Sequence, residues 1–436
     1  MPRLQRQLTL PGLILIAVGS CIGAGIFATP SNVVDILGRP SWVLATWATG
    51  GLIALTGALT FAELGGLFPG AGGVYVFLRE AYGRAVGFLY GWVTLLVINT
   101  GALAALSLIF SGYLGYLIPL SETGELVVAI LAIVLLTGIN IIGVGVSEKL
   151  TGGLTLLKLA AIVFIIGVGL LFGQEQLNSP EALQLPGDQD ERLWPLLFIS
   201  ALVGVLFSFG GWHHASYLAG ETRNPQRTVP LAMMYGALIV TVTYLLLNLA
   251  YFYLLPLGEF MQSTAVAGDA LERVLPYGGT LASVIIAVSV FGTISIYTMS
   301  APRIYFAMAQ DGLFFKKLAE IHPRFQTPAN AMILQAAWAV LLLLFWKTFQ
   351  QVIGFVTFMD IAFMCLAAAA VFLFRKKRPE LPRPYRTIGY PVVPLIFCTI
   401  TGSFVVGSLF TQPMESLVGL GLLGIGMVVY YWQFRS

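Results

Sequence analysis

The sequence predicts an all-α protein that crosses a membrane many times, and three observations carry that expectation. Hydrophobic residues make up 58% of the 436 and charged residues only 10%, against roughly 25% charged in an ordinary soluble domain. Mean hydropathy is +0.87. Apolar runs long enough to cross a hydrocarbon layer of about 30 Å recur from end to end. A β-barrel is disfavoured, because its strands alternate in polarity over about ten residues. The 48 glycines and 22 prolines follow no period, so the chain is neither collagen-like nor low-complexity. Cys21, Cys365 and Cys398 all lie inside apolar runs, which is neither a disulfide framework nor a metal-ligand spacing.

Twelve apolar segments are expected, at about 10–36, 41–67, 84–118, 124–143, 149–173, 194–220, 229–255, 278–310, 328–346, 349–374, 391–411 and 414–434. The first follows Arg3 and Arg6 and superficially resembles a signal peptide. It runs on through Gly23–Gly25 without a cleavage site and reads as a retained helix. The long third and eighth segments suggest tilted helices or helices that outlast the membrane.

Twelve crossings put both termini on one side, and basic residues choose the side. A cytoplasmic N-terminus places Arg79, Arg84, Lys149, Arg223, Arg227, Lys316, Lys317 and Arg324 in the cytoplasm, with the run Arg375-Lys376-Lys377-Arg378 and with Arg383 and Arg386. The opposite side keeps Arg39, Arg192, Arg273 and Lys347 and collects Asp188, Asp190 and Glu191. In a membrane protein, the basic run is expected to face anionic lipid rather than nucleic acid. The expected location is the cell (inner) membrane.

The first segment contains Gly19-Ser20-Cys21-Ile22-Gly23-Ala24-Gly25, and the sixth contains Phe207-Ser208-Phe209-Gly210-Gly211-Trp212. Each places small residues in mid-membrane, where the helix can unwind. The two are five crossings apart, and five crossings invert direction. That predicts two inverted repeats, 8–173 and 194–374, with a peripheral pair at 391–434, all in one domain spanning 1–436. Glycine-interrupted helices at matching positions in two halves mark a transporter's binding site. The competing reading is close helix packing at the glycines.

Unwound segments expose amides at the start of an outer half-helix, which suit a carboxylate. Carbonyls at the ends of inner half-helices suit an ammonium. The pair suits a zwitterion: carboxylate at Gly23-Ala24-Gly25, amino group near Cys21, Ile22 and Phe207. An L-amino acid is the natural substrate.

Ile22-Gly23-Ala24-Gly25-Ile26-Phe27 resembles the first-helix motif of the amino acid–polyamine–organocation superfamily. Phe207-Ser208-Phe209-Gly210-Gly211-Trp212 is similar to the sixth-helix motif of its L-type amino acid transporter branch. The loop Glu221-Thr222-Arg223-Asn224-Pro225-Gln226-Arg227 and the pieces Asn248-Leu249-Ala250-Tyr251 and Ser300-Ala301-Pro302-Arg303 resemble the same branch. The resemblance spans about 8–434. It implies ten core helices as a 5+5 inverted repeat, two peripheral helices and alternating access about a central site. It also implies that Ala24, Gly25 and Ile26 offer amides to the carboxylate, and that Cys21 and Ile22 offer carbonyls to the amine. Phe207 would gate the site beside Ser208, and Gly210 would leave room for a side chain. Animal members of that branch pair with a heavy subunit through a cysteine between the third and fourth helices. The loop from Pro119 to Gly124 has none, so no covalent heavy subunit is expected.

Ionisable groups within spans are functional candidates. Lys158 lies in the fifth segment, too deep for easy snorkelling. The resemblance suggests that its ammonium replaces a sodium ion between the first and eighth helices, donating to carbonyls near Gly19 and to Ser295 or Thr298. Its alternative role is proton coupling. Asp360 in the tenth segment reads as a partner for a cation, a pathway residue or a residue by a water-filled vestibule. Glu63 reads as interfacial. Tyr244 is a candidate tether for the broken first helix. His213 and His214 read as structural or water-facing, with a part in pH response as the alternative; a two-histidine metal site is poor, since neighbours on a helix point to different faces.

The expected function is sodium-independent carriage of neutral L-amino acids, one exchanged for another, with proton-coupled symport as the alternative. Gly210 and Ala24 offer no charged partner to a substrate side chain. An embedded enzyme is disfavoured, since no metal-spaced cluster, Ser/His/Asp set or nucleotide loop is present. No filter-like segment supports a channel. No cofactor and no metal are expected.

Overall fold

A computed structural model describes residues 4–173, 194–345, 349–411 and 413–433. The first span is two half-helices, α1 (Leu10–Cys21) and α2 (Gly25–Leu37), bent by 41° across the break. The second span is α3 (Pro40–Leu67), followed by the short α4 (Val74–Tyr82). The third joins α5 (Arg84–Val93) to α6 (Asn99–Leu117) through a π-helical turn at Thr94–Ile98. The fourth and fifth are α7 (Glu122–Ile141) and α8 (Val144–Phe172). The sixth is α9 (Trp194–Phe209) and the four-residue α10 (His214–Tyr217). The seventh, α11 (Pro225–Leu254), leads into the short α12 (Leu257–Gln262) and α13 (Val266–Glu272). The eighth is α14 (Gly278–Ser300), extended by α15 (Pro302–Gln310). The rest are α16 (Ala329–Phe345), α17 (Phe349–Lys377), α18 (Val392–Thr411) and α19 (Pro413–Gln433).

Local chemistry sets the ends of these helices. Thr9 caps α1 by accepting the Gly12 amide, with Pro11 in the first turn, and Ser121 caps α7 by accepting the Gly124 amide. Both arrangements satisfy amides that have no partner inside a helix. Pro225 at the start of α11 supplies the φ a helix needs and lacks the amide it would leave free.

The half-helices sort by level. The second half, α2, packs on α9, while the first half, α1, packs on α10, α8 and α11. The short α12 and α13 lie against α2. The last two helices are peripheral: α18 contacts α17 and α3, α19 contacts α17 and α5, and both leave Val406, Phe410, Leu417 and Val428 exposed.

The loops that carry the basic residues meet at one end. Ahead of α1, Leu8 exchanges backbone hydrogen bonds with the loop after α10, donating to Glu221 O and accepting from Arg223 N, each at 2.9 Å. Glu221 and Arg303 are buried and bonded through two parallel contacts of 2.7 and 2.8 Å. Arg79 pairs with Asp311. Glu63 is fully buried rather than interfacial, because α17 and its following loop fold over it: Arg375 donates at 2.7 and 3.0 Å and Thr387 N at 2.8 Å. Of the residues that set the expected orientation, Arg3, Asp188, Asp190, Glu191, Arg192 and Lys347 lie outside the described residues.

Candidate functional site

The two helix breaks clasp each other. At the first, Ile22 N donates to Val18 O at 2.9 Å and Gly23 N turns back to Cys21 O at 2.8 Å. The amides of Ala24, Gly25 and Ile26 then head α2, where a helix offers no acceptor of its own. At the second, Gly211 adopts a φ of +119°, open to glycine and strained for other residues. A β-carbon there would lie 2.6 Å from the Ser20 carbonyl oxygen, and Ser20 Oγ donates to Gly211 O at 2.8 Å. A β-carbon on Gly25 would lie 2.6 Å from Ser208 Oγ and 2.9 Å from Ser208 Cα. The glycines are therefore required by close backbone approach.

Two side chains hold the carbonyls that unwinding frees. The Tyr244 hydroxyl stands 2.9 Å from Cys21 O and 3.0 Å from Ser208 O, sharing its hydrogen between the two broken spans. Lys158 is buried, and its Nζ donates to Ile22 O at 2.7 Å, Thr293 Oγ1 at 2.9 Å and Gly19 O at 3.2 Å. Three ammonium hydrogens thus meet three acceptors. Helix α8 starts at Val144, earlier than the expected 149, so Lys158 sits at its middle.

These contacts correct two expectations. Ser295 and Thr298 do not meet Lys158. The Thr298 hydroxyl donates to Ser295 O, and both residues accept from Asn140 on α7. They lie about 200° and 140° round the helix from Thr293 at 100° per residue. The Cys21 and Ile22 carbonyls are occupied by Tyr244, Lys158 and Thr293, which leaves neither open for a substrate amine. The side chains of Ile22 and Ile26 are wholly buried and off the cavity wall.

The cavity between the breaks measures about 80 Å3, well below the roughly 300–1,000 Å3 of pockets that take drug-sized ligands. Cys21, Gly23, Ala24 and Gly25 line one wall, and Phe207, Ser208 and Gly210 line the next. Asn99, Thr357 and Asp360 form the third. Each of these three has a buried oxygen with no hydrogen-bond partner: Asn99 Oδ1, Thr357 Oγ1 and Asp360 Oδ1. Asp360 puts a carboxyl group on this wall. It lies beside Gly210 and His213, which it also meets in an adjoining cavity. The two histidines sit at the helix break rather than on two helix faces. Their rings are 5.0 Å apart, both line the cavity, and His214 Nδ1 lies 2.7 Å from Ser300 Oγ. Among the described residues no three His, Cys, Asp or Glu groups gather to hold a metal.

The family model for amino acid permeases matches residues 8–434. The chain belongs to that family. It is 34% identical to the serine/threonine exchanger SteT of Bacillus subtilis (strain 168), covering 98% of this chain and 97% of that one. It is 31% identical to the human cystine/glutamate transporter, over 98% and 85% of the two chains. It is 30% identical to the mouse large neutral amino acids transporter small subunit 2, over 99% and 82%. The permease is thus a multi-pass membrane transporter of the amino acid–polyamine–organocation superfamily and not an enzyme.

Several residues of the permease's site carried weak sequence signals. Thr293 follows Ser289 by four residues, and Ser289 Oγ approaches the same Ile22 carbonyl at 3.4 Å. That one-face spacing was the available signal. Asn99 had none, because it reaches the cavity just after the π-turn, and a π-turn shifts the helical register of all that follows.

Proposed function

We propose that the permease exchanges small neutral L-amino acids, hydroxyl-bearing ones first, without sodium and by alternating access between two inverted five-helix repeats. The observation that carries this reading is the small cavity with free amides on one wall and unpartnered oxygens on another. The substrate carboxylate takes the amides of Ala24, Gly25 and Ile26. The amine lies toward Phe207, whose ring closes over the ligand. The side chain passes Gly210, and its hydroxyl donates to Asp360. The name of the Bacillus relative, a serine/threonine exchanger, agrees with a short hydroxylated side chain.

The Lys158 ammonium supports sodium independence. It fills, with full coordination, a position between the first and eighth spans where a coupling cation would sit. The buried Glu221–Arg303 pair and the Leu8 bridge hold the inner end shut, so transport to that side requires them to part. Both termini then face the cytoplasm across the cell membrane.

The test is uptake of labelled serine, threonine, leucine, lysine and glutamate into proteoliposomes, with and without internal serine, in sodium-free buffer. Exchange requires internal serine to accelerate serine uptake without sodium. A second reading, proton-coupled symport, is favoured by two ionisable groups, Lys158 and Asp360, at or beside the cavity. It predicts uptake into empty vesicles driven by an inward proton gradient, with no stimulation from inside.

A further inference from the structure

A second cavity, of about 670 Å3, lies at the basic end, and the transport cycle above does not use it. Four separate stretches build it: Arg6 ahead of α1, Pro69 after α3, residues between Asn224 and Leu231 at the head of α11, and Pro384 with Tyr385 after α17. Its lining includes two cations and no anion. Arg6 and Arg227 are exposed and enter no ion pair among the described residues. At the same end Arg79, Arg303, Arg375 and Arg378 each hold a carboxylate. Tyr385 is a further lining residue.

The cavity also has a direction. Leu231 on its wall heads a stripe of one helix face, continuing through Tyr235, Leu238, Val242 and Leu246 at steps of four, three, four and four. These four are 48%, 46%, 48% and 39% exposed. Among the described residues this face stays open, and in a membrane it meets lipid tails. A basic pocket thus opens onto an apolar track that runs away from the cytoplasmic end.

The geometry points to a headgroup site for an anionic phospholipid, its phosphate between Arg6 and Arg227 and an acyl chain along the Leu231–Leu246 stripe of α11. Basic pockets at the cytoplasmic ends of spans suit such headgroups. A soluble phosphate would use the two arginines but nothing of the stripe. Arg6 lies two residues before Leu8, which is bonded to the loop after α10. A bound headgroup therefore ties the segment ahead of α1 to the start of α11 and steadies the closed inner end.

Native mass spectrometry of the purified permease tests this, with detergent-solubilised dioleoyl-phosphatidylglycerol, dioleoyl-phosphatidylcholine and inorganic phosphate titrated separately. One tight phosphatidylglycerol adduct is expected. Arg6→Gln and Arg227→Gln should each weaken it roughly five-fold, and the double variant roughly thirty-fold. Phosphatidylcholine adducts should not change. Both positions are exposed, so the variants should keep the wild-type thermal midpoint; the Lys substitutions at the same positions should retain most of the binding. Equal phosphatidylglycerol binding by wild type and double variant overturns the site. Displacement of the tight lipid adduct by inorganic phosphate at comparable affinity overturns the lipid assignment in favour of a soluble anion.

Discussion

The end where the basic loops meet, which the proposed orientation makes the inner end, and the central cavity treat buried carboxylates and cavity oxygens in opposite ways. At the inner end the buried Glu63 and Glu221 are each held by an arginine. In the cavity Asn99, Thr357 and Asp360 keep oxygens with no donor. Both regions sit within apolar protein, where an unpaired polar atom carries a penalty of about 1–3 kcal/mol. The difference teaches what each region is for. The buried carboxylates of the inner end are satisfied where they stand. The cavity is incomplete and is filled by what enters it.

The largest break in that comparison comes from the cavity's backbone. Gly25→Val places branched carbons where the first one already lies 2.9 Å from Ser208 Cα. The helix breaks are forced apart and the amides of α2 turn from the ligand. Equilibrium binding of labelled serine should vanish while the protein remains monodisperse in detergent. Binding within a few-fold of wild type would show that the carboxylate is held elsewhere.

At the inner end the matching test is Arg303→Ala. It strands the buried Glu221 carboxylate, and removing one partner of such a pair destabilises by about 3–5 kcal/mol. The thermal midpoint should fall by several degrees, and the loss should barely respond to added salt, because buried charges are poorly screened. A midpoint within one degree of wild type would mean that the pair does not hold the inner end.

Much of the fold was legible because glycine at Gly23, Gly25, Gly210 and Gly211 marks the breaks directly, and because apolar runs mark the spans. Pairings across the chain were not. Nothing local links Glu221 to Arg303, and Glu63 looked interfacial because the loop that covers it is remote in sequence. Lys158 was readable as a buried cation bonded to the Gly19 carbonyl, yet its hydroxyl partner was misjudged. Ser295 and Thr298 are equally polar neighbours on α14, and only the rotation of the helix separates them from Thr293.

Lys158 links the two regions, since it is a charge made complete by the broken helix itself. Lys158→Ala removes an ammonium from two carbonyls and a hydroxyl. A charged hydrogen bond is worth about 1.5–3 kcal/mol, so exchange should fall roughly a hundred-fold. Thr293→Ala should also slow exchange, and Ser295→Ala should not. Sodium-dependent uptake by the unaltered permease would defeat the idea that Lys158 takes a coupling ion's place.

A smaller change sharpens the cavity side. Asp360→Asn keeps the shape of the side chain and exchanges a carboxylate oxygen for an amide. Serine and threonine should lose about ten-fold in apparent affinity, since a bond to a charged acceptor becomes one to a neutral group. Alanine should change little. A uniform loss for all three would move Asp360 from the side chain to the amine or to helix packing.

The smallest effect belongs to a pair at the inner end that is not buried. Glu80 and Arg378 meet at 3.0 Å, with side chains 27% and 44% exposed. Partial burial works to raise the Glu80 pKa, yet hydrogen bonds and charge from Arg378 and Arg79 outweigh it and hold the carboxyl below its ordinary value. A folded value below the unfolded one gives stability that is present at neutral pH and lost as the pH falls through the lowered value. Exposed pairs of this kind are worth about 0.2–1 kcal/mol. Arg378→Ala should therefore shift the thermal midpoint only slightly at pH 7, and the shift should shrink in high salt and in acid. Arg303→Ala should show no such salt dependence. If Arg378→Ala proved as harmful as Arg303→Ala, burial would not be what makes one arginine pair a latch and the other a surface contact.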